Sequence, residues 1–345
     1  MLYSWQSRDW SRLANLRDHL PHALLLQALP GTGEIELAFH FAQGLLCEAV
    51  RSDLQPCGKC TACQWFIKGN HPDFRAVYPE IFIGLLSEEA KSDNNMKKKP
   101  NILSKEIKIE QVRHLIDFAN LGSHRHGNRV AVLYPAESLN MNAANALLKT
   151  LEEPPEGVIF ILVTTGRNLL LPTILSRCRR IVLSRPDIES STQWLMSSAV
   201  LDYGEAMSIL TEAGGAPLHA LLLSTPEERL WRNHLLIQLE KGAALDVFTC
   251  AEKLYKRSLI DILVTLQRWC FDLLSARMTG VIRFFPARIE QLERCGHNTD
   301  NLRLLGFLRE LEQQREFQNH PLNKNVLLEA LFLKYQQLFT DVGSV

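Results

Sequence analysis

At 345 residues, with 46% apolar and 22% charged side chains, the chain has the make-up of a soluble protein of two or three domains, not of a disordered or fibrous one. Lysine plus arginine equals aspartate plus glutamate at 38 each. That argues against a protein gripping DNA alone, which needs a basic excess, and leaves DNA contact as local or shared with partner subunits. No window of 18 apolar residues occurs, and Met1-Leu2-Tyr3-Ser4-Trp5 lacks the basic region of a signal peptide. A cytoplasmic location is expected, with no membrane partner and eight cysteines that are reduced or metal-bound.

The first half alternates short apolar runs with amphipathic stretches, the pattern of β-α units on a parallel sheet. Residues 23–26 read as a buried strand ending at the turn Pro30-Gly31-Thr32-Gly33. Leu37, Ala38, Phe41, Ala42 and Leu45 then recur at helical spacing. Cys47, Cys57, Cys60 and Cys63 follow as Cys-x9-Cys-x2-Cys-x2-Cys. Steps of this length let two thiolates converge on one tetrahedral ion, and four close its shell. A structural zinc module over residues 47–63 is therefore expected, with an iron–sulfur cluster or unligated thiols as alternatives.

A second strand fits 74–78. Residues 80–107 shift in composition around the stretch from Lys91 to Pro100 and read as an exposed, mobile loop. Helical periodicity resumes at Ile109, Val112, Leu115, Ile116 and Ala119. A strand at 130–133 and a helix from about Asn142 to Glu152 come next, the helix ended by Pro154-Pro155. Apolar runs at 158–163 and 181–183 complete the strands. Beyond Pro186 only helical stripes remain, such as Leu259, Leu263, Leu266, Trp269, Cys270 and Leu273. Cys178, Cys250, Cys270 and Cys295 are scattered and read as packed side chains.

A phosphate loop has the form Gly-x-x-x-x-Gly-Lys-Ser/Thr, between a strand and a helix. Its amides cradle phosphates, its lysine reaches the terminal phosphates and its hydroxyl holds magnesium. Here Gly31, Thr32 and Gly33 keep the turn, but Glu34 stands in the lysine position and Ile35 in that of the hydroxyl. The strand expected to end in an acidic, magnesium-binding pair ends in Tyr134-Pro135. A carboxylate repels a triphosphate and isoleucine ligates no metal, so no ATP is expected to bind or be hydrolysed.

The segment from Asn145 to Pro155, Asn-Ala-Leu-Leu-Lys-Thr-Leu-Glu-Glu-Pro-Pro, closely resembles the signature of bacterial DNA polymerase III clamp-loader AAA+ subunits. Thr173-Ile174-Leu175-Ser176-Arg177-Cys178 resembles the Ser-Arg-Cys motif of the same family. With the cysteines, these motifs span most of residues 22–183. The resemblance implies an α/β part followed by an all-α part. A RecA-like AAA+ domain would cover 1–183, with the degenerate loop and the zinc module inserted. A small helical lid would cover 184–226 and a helical oligomerisation domain, or collar, 227–345.

The family's motor members, gamma and tau, keep the lysine and the acidic pair. They also carry a sensor arginine after the lid's glycines, absent from Gly214-Gly215-Ala216-Pro217-Leu218-His219. The resemblance thus implies a rigid, non-hydrolysing subunit that joins gamma/tau and delta subunits to load the β sliding clamp on primer-template DNA. It further implies that Arg177 is an arginine finger completing the neighbouring subunit's ATP site, and 319–323 with the amphipathic helix after it resembles a C-terminus of the same family. The rival readings are an active ATPase of the gamma/tau type and a self-sufficient zinc-dependent DNA-binding protein.

Overall fold

The computed structural model describes residues 2–49, 53–82, 103–124, 127–166, 170–316 and 324–339. Of the exposed loop read over 80–107, residues 83–102 lie outside the described residues, as does the motif at 319–323; at its end Ile107 is fully buried in a core and not exposed. The chain forms two compact units, Met1–Ser190 and Ser191–Val345.

In the first unit a parallel sheet is built from β1 (Ala23–Gln27), β2 (Phe74–Val77), β3 (Arg129–Leu133), β4 (Val158–Thr164) and β5 (Arg179–Val182). Their order is β2-β3-β4-β1-β5, so β1 lies between β4 and β5, with Ala23 opposite Phe160 and Leu24 opposite Arg179. The helices are α1 (Ser7–Ala14), α2 (Glu34–Leu46), α3 (Thr61–Ile67), α4 (Ile109–Asn120), α5 (Met141–Glu152) and the single turn α6 (Pro172–Leu175).

Successive strand side chains point to opposite faces, and this alternation builds two cores. Leu24, Leu26, Val130, Val132, Ile159 and Ile161 pack against Trp10 and Leu13 of α1 and Leu37 and Phe41 of α2. Ala23, Leu25, Ala131, Leu133, Phe160 and Leu162 pack against Leu115 of α4 and Leu147 and Leu151 of α5. Because both faces are covered, the inner strands read as unbroken apolar runs. β5 differs. It begins at Arg179, two residues before its apolar run, because an edge strand is held by pairing to β1 and buries only Ile181.

The second unit is wholly helical over its described residues. A small core gathers Leu195, Ala206, Ile209, Leu210, Ala220 and Leu223. A separate, larger core runs from Trp231 to Leu338 around the long helix Leu259–Thr279. Within it Trp269 Nε1 donates to Tyr335 Oη (2.8 Å), which donates in turn to Leu239 O (2.8 Å). Asp272, fully buried, accepts the backbone N–H groups of Arg283, Phe284 and Phe285 at 2.8–2.9 Å. Among the described residues no single helix is long and apolar enough to cross a membrane.

Candidate functional site

Open parallel sheets bind ligands beyond the carboxyl ends of their strands, and the loop after β1 lies there. Gly31 and Gly33 adopt φ of +78° and +84°, and α2 starts at Glu34, so the turn has the shape of a phosphate loop. Its interior is taken. Glu34 is 3% exposed, and its carboxylate folds back into the loop. Oε2 accepts the Thr32 amide N–H (3.1 Å), while Oε1 accepts the Tyr134 hydroxyl at the end of β3 (3.2 Å). A loop amide that could serve a phosphate oxygen thus serves a carboxylate of the same chain. Burial, then the charge of Glu34, pushes the Tyr134 phenol up, so it stays a donor at neutral pH.

The N-terminal segment covers the loop. Trp5 Nε1 donates to Thr32 O (2.9 Å) and Gln6 Nε2 to Gly33 O (2.6 Å). A Cβ on Gly33 would lie 2.6 Å from a ring carbon of Tyr3, so glycine is required there for space as well as for its positive φ. The cover is anchored through α1, whose buried Asp9 accepts Ser184 N (2.8 Å) beyond β5. Sequence reading missed this segment, because α1 buries only Trp10 and Leu13 as apolar residues and has too few turns to display a period.

The four cysteine sulfurs all lie within 4.8 Å of one another, with Cys47–Cys60 and Cys57–Cys63 at 3.9 Å. A tetrahedral ion with sulfurs at about 2.3 Å has edges of roughly 3.8 Å, so the cluster fits. Cys47 ends α2, Cys60 caps α3 and Cys63 lies in its first turn. Amides of Cys57, Cys60 and Cys63 donate to the sulfurs of Cys47, Cys57 and Cys60 at 3.3–3.4 Å. The N–H groups of Cys60 and Lys59 bring the Cys57 thiol down to about 6, while burial pushes Cys63 and Cys47 up. The cysteine loop sits tightly on α2: a Cβ on Gly44 would meet the Leu54 carbonyl at 2.1 Å.

Arg177 follows α6. Its Nη1 donates to Thr173 O (2.8 Å) and Ser176 Oγ (3.3 Å), and its Nη2 to the Glu152 carboxylate at the end of α5. The Ser-Arg-Cys motif is thereby joined to the Leu-Glu-Glu-Pro-Pro signature, a contact that sequence spacing could not reveal. Cys178 is buried, and burial raises its thiol to about 11.

The second unit holds a cleft of about 580 Å³ that the sequence did not signal. Arg229, Arg232 and Arg288 line it, but they pair with Glu205 (2.8 Å), Glu212 (3.1 Å) and Glu240 respectively. Nearby, burial and then the charges of Arg268 and Arg232 hold the His219 imidazole down at about 4. The glycines before it, at φ of +73° and +81°, close helix Tyr203–Glu212, with Gly215 N donating to Leu210 O (2.9 Å).

The strand order, with a phosphate-type loop after the inner strand β1 and a helical unit beyond, defines an AAA+-type protein. The profile described as "DNA polymerase III, delta subunit" matches residues 6–187. DNA polymerase III subunit delta-prime of Pseudomonas aeruginosa is 31% identical over 350 residues, covering 98% of each chain. Its counterpart from Escherichia coli K12 is 34% identical over 225 residues, 64% of this chain and 60% of that one. A gamma subunit-related protein of DNA polymerase III from Thermotoga maritima matches 95% of this chain and 99% of its own, at 18% identity and a TM-score of 0.43. The chain belongs to the DNA polymerase III delta-prime subunit family, and its role is that of a clamp-loader subunit in DNA replication.

Proposed function

We propose that this chain is the non-hydrolysing AAA+ subunit of its clamp loader, joining gamma/tau motor and delta subunits in the cytoplasm to load the β sliding clamp on primer-template DNA. The observation that carries this reading is the Glu34 carboxylate, buried in the loop and bonded to Thr32 N–H and Tyr134 Oη. An incoming triphosphate would have to displace that internal ligand, and it would meet carboxylates at Glu34, Glu36 and Glu137 around Tyr134. The same feature counts against a gamma/tau-type motor. Residues 184–226 act as the lid and 227–345 as the collar that joins the partners. The two separate apolar cores beyond Ser190 support that division.

Cys47, Cys57, Cys60 and Cys63 hold one structural zinc ion. Four sulfur donors leave no coordination place for water, so the metal supplies a crosslink between α2 and α3 rather than chemistry. Arg177 acts in trans, its guanidinium stabilising charge on the phosphoryl group in the adjacent motor site.

Two measurements test the reading. Purified chain mixed with its gamma/tau and delta subunits should elute as one stoichiometric complex in size-exclusion chromatography with light scattering. The isolated chain should give no heat on titration with Mg-ATP. Failure to co-elute would overturn the placement in the clamp loader, and micromolar ATP affinity would overturn the dead site.

A further inference from the structure

We propose that Glu152 is a positioning residue that holds Arg177 retracted in its own subunit until the neighbouring ATP site is loaded; this rests on the reading of Arg177 as a finger acting in trans. Both terminal nitrogens of Arg177 are engaged within the chain, Nη2 by the Glu152 carboxylate and Nη1 by Thr173 O and Ser176 Oγ. Carboxylates and phosphates both take the planar fork of a guanidinium. Glu152 and a partner's triphosphate are therefore alternative occupants of the same donor. Nε of Arg177 is buried without a hydrogen-bond partner among the described residues. The retracted position thus leaves one donor unsatisfied, a cost that release removes.

The location of Glu152 carries the argument further. It is the last residue of α5, with Glu153 beside it. Carboxylates at a helix C-terminus oppose the helix dipole, so Glu152 does nothing for the helix that carries it. Its return lies in the contact with Arg177. That contact is also of the right strength for a latch. With the two side chains 30% and 47% exposed, such a pair biases an equilibrium by at most about fivefold. A triphosphate can break it, while an empty neighbouring site cannot.

The test is ATP turnover of the clamp loader reconstituted with Glu152→Gln, without clamp or DNA and then with both saturating. Glutamine keeps the length and hydrogen-bonding capacity of the side chain but drops the charge, so the fold should hold; an unchanged Tm checks this. Turnover without clamp and DNA should rise about two- to fivefold, through KM for ATP and not through the maximal rate. It should be unchanged when both are saturating. In an Arg177→Ala background the same substitution should do nothing. Unchanged or lowered turnover in Glu152→Gln alone, or an equal change with and without Arg177, overturns the latch. If Arg177→Ala alone leaves turnover at the wild-type level, the finger reading itself falls.

Discussion

Glu34 departs from a phosphate-loop lysine in where its side chain goes as well as in its charge. A lysine would point outward to a ligand; this carboxylate turns inward to Thr32 N–H and Tyr134 Oη. The substitution was legible in the sequence, but its consequence was not, because Tyr134 lies 100 positions away. Restoring the lysine with Glu34→Lys removes the internal acceptor yet leaves Ile35 and Tyr134 where metal ligands belong. The expected outcome is no ATP turnover above background in a coupled assay of the isolated chain, and measurable turnover would show the β3 defect to be unimportant. His219 offers a second check at this scale. Its folded-state value of about 4 lies below the 6.5 of the free side chain, so the unfolded chain takes up the proton first. Stability from this group is present above pH 6.5 and is lost as the pH falls towards 4. From pH 7 to pH 5 the loss is about 2 kcal/mol. Denaturant unfolding at the two pH values should reveal it, and His219→Asn should flatten the dependence.

At the scale of elements, each apolar run became a strand of the sheet, and the stripe from Leu259 to Leu273 became the long helix Leu259–Thr279. Runs and stripes are legible because burial on one or two faces stamps its period on the residues. Segments held by polar contacts left no such mark. The turn Ser4–Gln6 is held by Trp5 and Gln6 donating to loop carbonyls, and residues 281–285 by the buried carboxylate of Asp272. The cysteine spacing was legible for a different reason: four like ligands at short intervals have few other uses. One zinc per chain is expected by elemental analysis, and none, or a coloured iron cluster, would contradict it. Because metal binding is coupled to folding, Cys60→Ser or chelation should speed proteolysis within the first unit, near α2 and α3, and leave the second unit's cleavage pattern unchanged.

At the scale of the whole molecule, the motifs revealed the family before any coordinates did, since the signature and Ser-Arg-Cys segments recur as linear patterns. The partition of the chain was legible at two prolines: the composition change near Pro186 marks the end of the sheet, and the break between the two helical cores falls at Ser224-Thr225-Pro226, where proline and the acidic pair Glu227-Glu228 open the next helix. On the proposed reading Arg177 joins the scales, as one side chain acting in another subunit. Arg177→Ala should leave the complex assembled in light scattering and lower its ATP turnover at least tenfold, a modest share of the ~10³–10⁵ known for fingers supplied in trans; a wild-type rate would count against the assignment. The Glu34 carboxylate has one more consequence. Tethered two residues from the amide it occupies, it behaves as a ligand at an effective concentration of the order of millimolar or above. On the proposed reading, ATP meets that tethered competitor whatever the cell's energy charge. On that same reading, a subunit so filled has no loaded and unloaded forms to alternate between, and it would give nucleotide-driven neighbours one fixed point against which their motion becomes work.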